Sequence, residues 1–379
     1  MRDLPPVGET YEGKESISRN SEMNHDRRNL TILEALPTAT LLRTPCLPLL
    51  GFLACAFCVA TSGCGGSSQS RHMSALYANL LAYDIDYDQA TSSAYAATQT
   101  GTQGVVQLSV RAPIKMTNVA ATITGAWLLA TASDGKSLFV VCQTGASYEV
   151  EQLVLSTDTV TPVFSVPSGQ TPVEIQGLPH SPNGFVIDTV NAGAYETSVV
   201  NSSSAQSSDQ IGSTFCINPK GNQLYGLNPS TGMYAVATIS SSGLTVNSMV
   251  STTLTTVGNN IHWANGKIVT DDGHVLDPTS GTVLAKLSFP ANTTESIAAP
   301  INGTNNVRFV VESPGQASVV TFDLSKLAQV GTPFQVTSDP PLSSLSLTKA
   351  VSTGSHSLDI LAGSPSSQTS QIVEVLGQP

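Results

Sequence analysis

The chain has 379 residues, 40% hydrophobic and 11% charged, with a formal net charge of −11. That length supports a large core, because about 300 folded residues bury roughly three-quarters of their extended surface. Low charge with abundant Ser, Thr, Gly and Asn speaks against a helical protein, and an acidic chain without basic clusters argues against a nucleic-acid partner, since phosphate contacts need Lys and Arg.

Residues 1–42 are polar and of mixed charge, too long for the basic start of a leader, and the true start is expected near Leu41. Leu47–Ala60, LPLLGFLACAFCVA, is 14 almost unbroken apolar residues. A membrane span needs roughly 17–25 residues, so this stretch reads as the apolar region of a signal peptide. Cys55 and Cys58 sit inside it with no His nearby and read as small apolar filler, not as a metal or redox motif.

Thr61-Ser62-Gly63-Cys64 follows, and then GGSSQS. The tetrapeptide resembles a bacterial lipobox, with Thr61 where that motif usually has Leu. The resemblance implies cleavage before Cys64, lipid on Cys64, and a membrane-anchored lipoprotein of the bacterial cell envelope, periplasmic or surface-exposed. More than one acyl chain gives stable anchoring where a single chain does not. The alternative is plain cleavage that leaves a secreted protein. The organisation expected is therefore a leader over 1–64, a flexible tether over 65–72 and a folded domain over 73–379.

The body opens with an apolar run at Ser74–Leu81 and continues with Tyr83–Asp88. Its clearest stretch is Leu138–Ile175, which holds apolar runs at Phe139–Gln143, Tyr148–Leu155 and Val160–Val166 before SGQTP turns the chain. Short strands at roughly 8–12-residue spacing indicate an all-β sandwich, barrel or propeller. A tight turn between two apolar runs recurs near Ser92, Gly135, Gly184, Gly221, Gly266, Gly303 and Gly354. Gly, Asn, Asp and Ser at such places accept the positive φ of a hairpin turn. The spacing averages about 44 residues, which is the length of a four-stranded propeller blade. Seven turns predict a seven-bladed β-propeller of four-stranded antiparallel blades. The order of strands around FVVCQ and SGQTP resembles the YVTN-type β-propeller repeat, fairly matched again in blades 5 and 6.

After Gly354 there is sequence for two further strands, Leu358–Ala362 and Ile372–Leu376, so the seventh blade lacks a fourth. An open sheet edge is a liability. Ser74–Leu81 is expected to fill it and close the ring.

Several residues invite chemistry. Asp84, Asp86 and Asp88 alternate as calcium ligands can, but an EF-hand loop needs Gly and Glu where Gln89 and Tyr95 stand. His180 and His262 each precede their turn glycine by four residues, which predicts equivalent places near the ends of two inner strands. Cys142 and Cys216 fall in non-neighbouring blades and read as two buried thiols. The face loops are expected to carry Glu174, Asp271, Asp272, Glu295, Glu312 and Asp339. Of these, Asp271 and Asp272 end the second strand of blade 5 and Glu312 that of blade 6, so one face is predicted to bring them together. They would bind a cation such as calcium, with Ser313 and Asn260 as neutral ligands, or a basic group of a partner.

Two functions are weighed. The first is a binding or scaffold module for a protein or a glycan. The second is an enzyme, because rings resembling this one include lactonases and quinoprotein dehydrogenase subunits. That reading requires three or more ionisable side chains converging in the channel. No G-x-S-x-G, Walker A or HExxH motif occurs.

Overall fold

The computed structural model describes residues 73–77, 80–98, 104–109, 115–120, 122–201, 204–254, 256–338, 341–363 and 370–376. The leader, the tether, Cys64 and Asp339 lie outside them.

Seven four-stranded antiparallel sheets form a seven-bladed β-propeller. The inner strands are Ala82–Asp88, Ala126–Thr131, Thr171–Gly177, Thr214–Ile217, Ile261–Ala264, Glu295–Pro300 and Leu347–Ser352, for blades 1 to 7. In blades 1 to 6 the four strands follow one another in chain order. Blade 7 is closed from the other end of the chain. Met73–Tyr77 pairs antiparallel with Gln371–Leu376, from Met73 opposite Leu376 to Tyr77 opposite Ile372. The expected closing strand is present, and its ladder stops at Tyr77 short of Leu81.

Both faces of most blades are buried, which is why the second strands read as unbroken apolar runs such as Leu138–Cys142 and Phe309–Val311. Strand side chains alternate between faces, so each sheet splits its apolar residues between two neighbours. Among the described residues this yields one apolar cluster at each of the seven blade boundaries. Phe139 and Phe185, for example, meet with ring centroids 4.8 Å apart across the boundary of blades 2 and 3. Burying one such ring stabilises by about 1.5–3 kcal/mol, so the seven boundaries dominate the stability of the ring.

All seven predicted turns join an inner strand to a second strand. Ser92, Gly135, Gly221, Gly266, Gly303 and Gly354 take positive φ. Gly184 does not. In blade 3 the positive φ, 64°, falls on His180, because the turn there runs through residues 178–183 and Gly184 already begins the next strand. In blade 5 the connection is only Asn265-Gly266. Counting four residues back from the glycine therefore lands on an exposed turn in blade 3 and inside a strand in blade 5. His180 and His262 are not equivalent.

Candidate functional site: the central channel and the acids around it

Residues from all seven inner strands line one cavity of about 450 Å³, the central channel of the ring. Its wall includes Tyr83, Asp84, Asp86, Glu174, Gln176, Cys216, His262, Trp263 and Lys349. Five acidic or basic side chains, Asp84, Asp86, Glu174, His262 and Lys349, thus converge there, more than the three that an enzyme was expected to need.

Most of them are bonded across blade boundaries. An inner strand pairs with its own second strand on one side and leaves amides on the other unpaired. The side chains of the preceding blade accept those amides. Asp84 Oδ2 accepts Leu129 N–H at 2.9 Å, and Asp86 Oδ2 accepts both the N–H and the hydroxyl of Thr131. Glu174 Oε2 accepts Phe215 N–H, Thr214 Oγ1 accepts Ile261 N–H, and Glu295 Oε2 accepts Leu347 N–H. Blade 5 uses its second-strand side for the same purpose, since Asp271 Oδ1 accepts Ala298 N–H at 2.8 Å. Where the inner strands of blades 2 and 3 meet, the two backbones themselves come close. A Cβ on Gly177 would stand 2.1 Å from the carbonyl oxygen of Thr131, so only glycine permits that approach.

Lys349 completes the circle. Its Nζ lies 2.8 Å from Asp84 Oδ1, joining blade 7 to blade 1. Burial pulls the Lys349 amine downward, but Asp84 and Asp86 outweigh it and leave the amine above its ordinary value. Burial raises Asp84 in spite of Lys349.

The structure engages Asp271, Asp272 and Glu312 separately. Asp271 is 1% exposed and accepts Asn260 N–H, Ala298 N–H and His262 Nε2–H. Asp272 takes Thr270, His274 and Lys286. Burial works against it, but those bonds hold its carboxyl below the usual range. Glu312 is buried directly opposite Glu295 in blade 6, with Oε1 unpartnered. Burial, then the Glu295 charge, pushes it up to about 7. Among the described residues no group of three or more His, Cys, Asp or Glu is arranged to hold a metal ion. The difference from the expected cluster is physical: Asp271 and Asp272 are taken up by neighbouring amides, hydroxyls and basic side chains, and Glu312 is buried against Glu295 of its own blade.

Blade 3 repeats the blade 6 arrangement. Glu174 is not in a face loop but within the inner strand, directly opposite Asp188. Burial raises Glu174 to about 7, and burial with the Glu174 charge raises Asp188 to about 8. In both blades the inner acid reaches the next blade, and its partner is buried behind it with one orphan oxygen. The spacing held a signal for this. Glu295 and Glu312 stand nearly equidistant from the Gly303 turn, so a hairpin centred there must oppose them.

Asp88 turns away from the channel and accepts Ala90 N–H and the Thr91 hydroxyl within its own turn. Cys142 and Cys216 are both free and buried, as expected. Burial raises both thiols, Cys142 with help from Glu151 and Cys216 from Glu174, which keeps them unreactive.

Arg308 has a role the sequence did not disclose. It is fully buried in the second strand of blade 6 and donates to the carbonyls of Gly354, Ser355 and Ser357 in blade 7. It serves a turn backbone and not an anionic ligand.

No protein-family model matches the sequence, and no curated protein does. Among solved structures, the chain is similar to Hsv2 of Kluyvelomyces marxianus, at 11% identity and a TM-score of 0.53 over 75% of this chain and 90% of that one. It is likewise similar to hydrazine synthase of Kuenenia stuttgartiensis, at 12% identity and a TM-score of 0.54 over 79% and 96% of the two chains. Sqt1 of Saccharomyces cerevisiae aligns at 10% identity with a TM-score of 0.49, over 81% and 98%. At such identities the likeness concerns the propeller fold alone.

Proposed function

We propose that this protein is an exported propeller of the YVTN-repeat type, anchored through lipid on Cys64, that works as a binding or scaffold module for a protein or a glycan. The observation that carries the reading is the fate of the channel acids. Asp84, Asp86 and Glu174 are each spent on the next blade's amides. A group locked into the wall contributes rigidity, and a rigid ring presents loops at little ordering cost. The experiment is a pull-down from native membranes with the lipidated protein, probed for protein and for glycan. A stoichiometric partner that survives stringent washing supports a binding module. An empty pull-down together with measurable turnover overturns it.

One observation favours a second reading. His262 faces the channel while the buried Asp271 holds its Nε2, the arrangement that orients an acid–base histidine. A hydrolase of the lactonase type would use it. Lactone hydrolysis that His262→Gln abolishes, with the fold intact, would establish that reading instead.

A further inference from the structure

Asp359 and Glu374 stand directly opposite each other on the second and third strands of blade 7, Ser357–Ala362 and Gln371–Leu376. Asp359 is 2% exposed and Glu374 fully buried. Asp359 Oδ1 and both Oε atoms of Glu374 have no hydrogen-bond partner. Directly opposed strand residues have Cβ atoms only about 5 Å apart. The register continues to Val351 on one side and Ala75 of the closing strand on the other. Val351, Leu361 and Ile372 share that face, and it packs on blade 1 against Leu80, Ala82 and Ile85.

Among the described residues, no charged group on the elements packed there neutralises the pair. Blade 1 brings Tyr83, Asp84, Asp86, Tyr87 and Asp88 on its inner strand and Tyr95 on its second. Its third strand, Val105–Leu108, carries none. From blade 7 itself comes Lys349, whose amine is bonded to Asp84. His356 sits in the turn before Asp359, across a groove from Lys115. Burial raises Glu374 to about 7, and burial with the Glu374 charge raises Asp359 well above the carboxylate range. Two opposed acids without a cation cannot both ionise cheaply, so they titrate as a coupled pair.

This pair differs from Glu174–Asp188 and Glu295–Glu312 in its place and its bonding. Neither member caps an amide of the next blade. It also lies in the one blade that the chain does not build in a single run, beside the ladder that joins Gln371–Leu376 to Met73–Tyr77, the strand that leads on into blade 1. That seam is held by the five-residue ladder of Met73–Tyr77, by Lys349 on Asp84, and by Ser370, whose hydroxyl bridges Leu80 O and Ala82 N–H.

We propose that the Asp359–Glu374 pair makes the seam a proton-operated latch. Protonated, it lets blade 7 lie against blade 1 with the closing strand in place; ionised, it forces the two blades apart and frees Met73–Tyr77. The proposal is independent of what the ring binds.

The test is amide hydrogen exchange on the full chain at pH 6.0 and 8.5, corrected for intrinsic rates. Peptides covering residues 73–77 and 357–376 should lose about tenfold or more in protection relative to blade 4, one factor of ten per shifted proton unit. Blade 4 carries no such pair and serves as the internal reference. Glu374→Gln and Asp359→Asn should each abolish the difference, and either one that retains the native circular dichroism spectrum decides the point. Seam protection that tracks blade 4 in the wild type, or that is lost equally in a folded variant, overturns the latch.

Discussion

Lys349 Nζ lies 2.8 Å from Asp84 Oδ1, and this contact ties the last inner strand to the first. Asp84 simultaneously accepts the amides of Ile85 and Leu129, so one carboxylate gathers blades 7, 1 and 2. Lys349→Met should cost about 2–3 kcal/mol, because breaking a buried pair strands the remaining charge and this amine is partly open to the channel. Asp84→Asn should cost at least as much, since a single amide oxygen cannot accept from both Leu129 N–H and Lys349, and its NH2 then faces one of these donors. Denaturant unfolding of both variants measures the order, and equal stability of Lys349→Met and wild type would contradict it.

Arg308 offers a sharper case. Its guanidinium spans three carbonyls around one turn, and burial lowers it to about 10. Hydrogen bonds from a charged donor contribute about 1.5–3 kcal/mol each, enough to hold a charge that burial disfavours. A lysine has the charge without the fork. Arg308→Lys should therefore lower stability by about 2–4 kcal/mol and loosen the Thr353–His356 turn, which nuclear magnetic resonance order parameters would report. An Arg308→Lys protein as stable as wild type would show that charge alone suffices.

Asp271 separates a wall role from a cation role. Its oxygens hold Asn260, Ala298 and His262. Asp271→Asn should lower the melting temperature by the same amount with and without millimolar calcium. A ligand that binds only the folded state must raise the melting temperature. A calcium shift in the wild type that the variant loses would restore the cation site first read from Asp271, Asp272 and Glu312.

The anchoring proposed for Cys64 has its own test. A fatty-acid analogue should label the wild type and leave Cys64→Ala unlabelled in the native host. Equal labelling of both, or of neither, would leave plain secretion as the export route.

The ring was legible because turn chemistry repeats in sequence. Six of the seven turns carry their positive φ at the residue the spacing points to, and the missing seventh outer strand pointed to its replacement. Blade 3 shows the limit. Gly184 looks like a turn glycine, yet the turn is longer and bends at His180. The site was less legible because its bonds cross blade boundaries. Nothing near Glu174 in the chain announces Phe215, and nothing near Arg308 announces Ser357. What was countable is the opposition of acids inside one hairpin, as Glu295 and Glu312 about Gly303.

The buried acids also set how the whole ring responds to pH. Glu174, Glu312 and Glu374 are raised to about 7 and Asp188 to about 8, above the range near 4 that they take when unfolded. The folded ring thus binds protons that the unfolded chain has released, and stability must fall as pH rises through that interval. Carboxyls held low, such as Asp272, contribute stability that is lost only in acid, below this interval.

The most direct measurement is the unfolding free energy from denaturant titration at pH 5.5 and pH 8.5, for the wild type and for Asp188→Asn/Glu374→Gln. The wild type should be more stable at pH 5.5 by several kcal/mol, at up to about 1.4 kcal/mol per proton and pH unit. The double variant should narrow that gap by gaining stability at pH 8.5. A wild type that is more stable at pH 8.5, or a gap that the double variant leaves unchanged, would contradict the assignment of these acids to the interior of the ring.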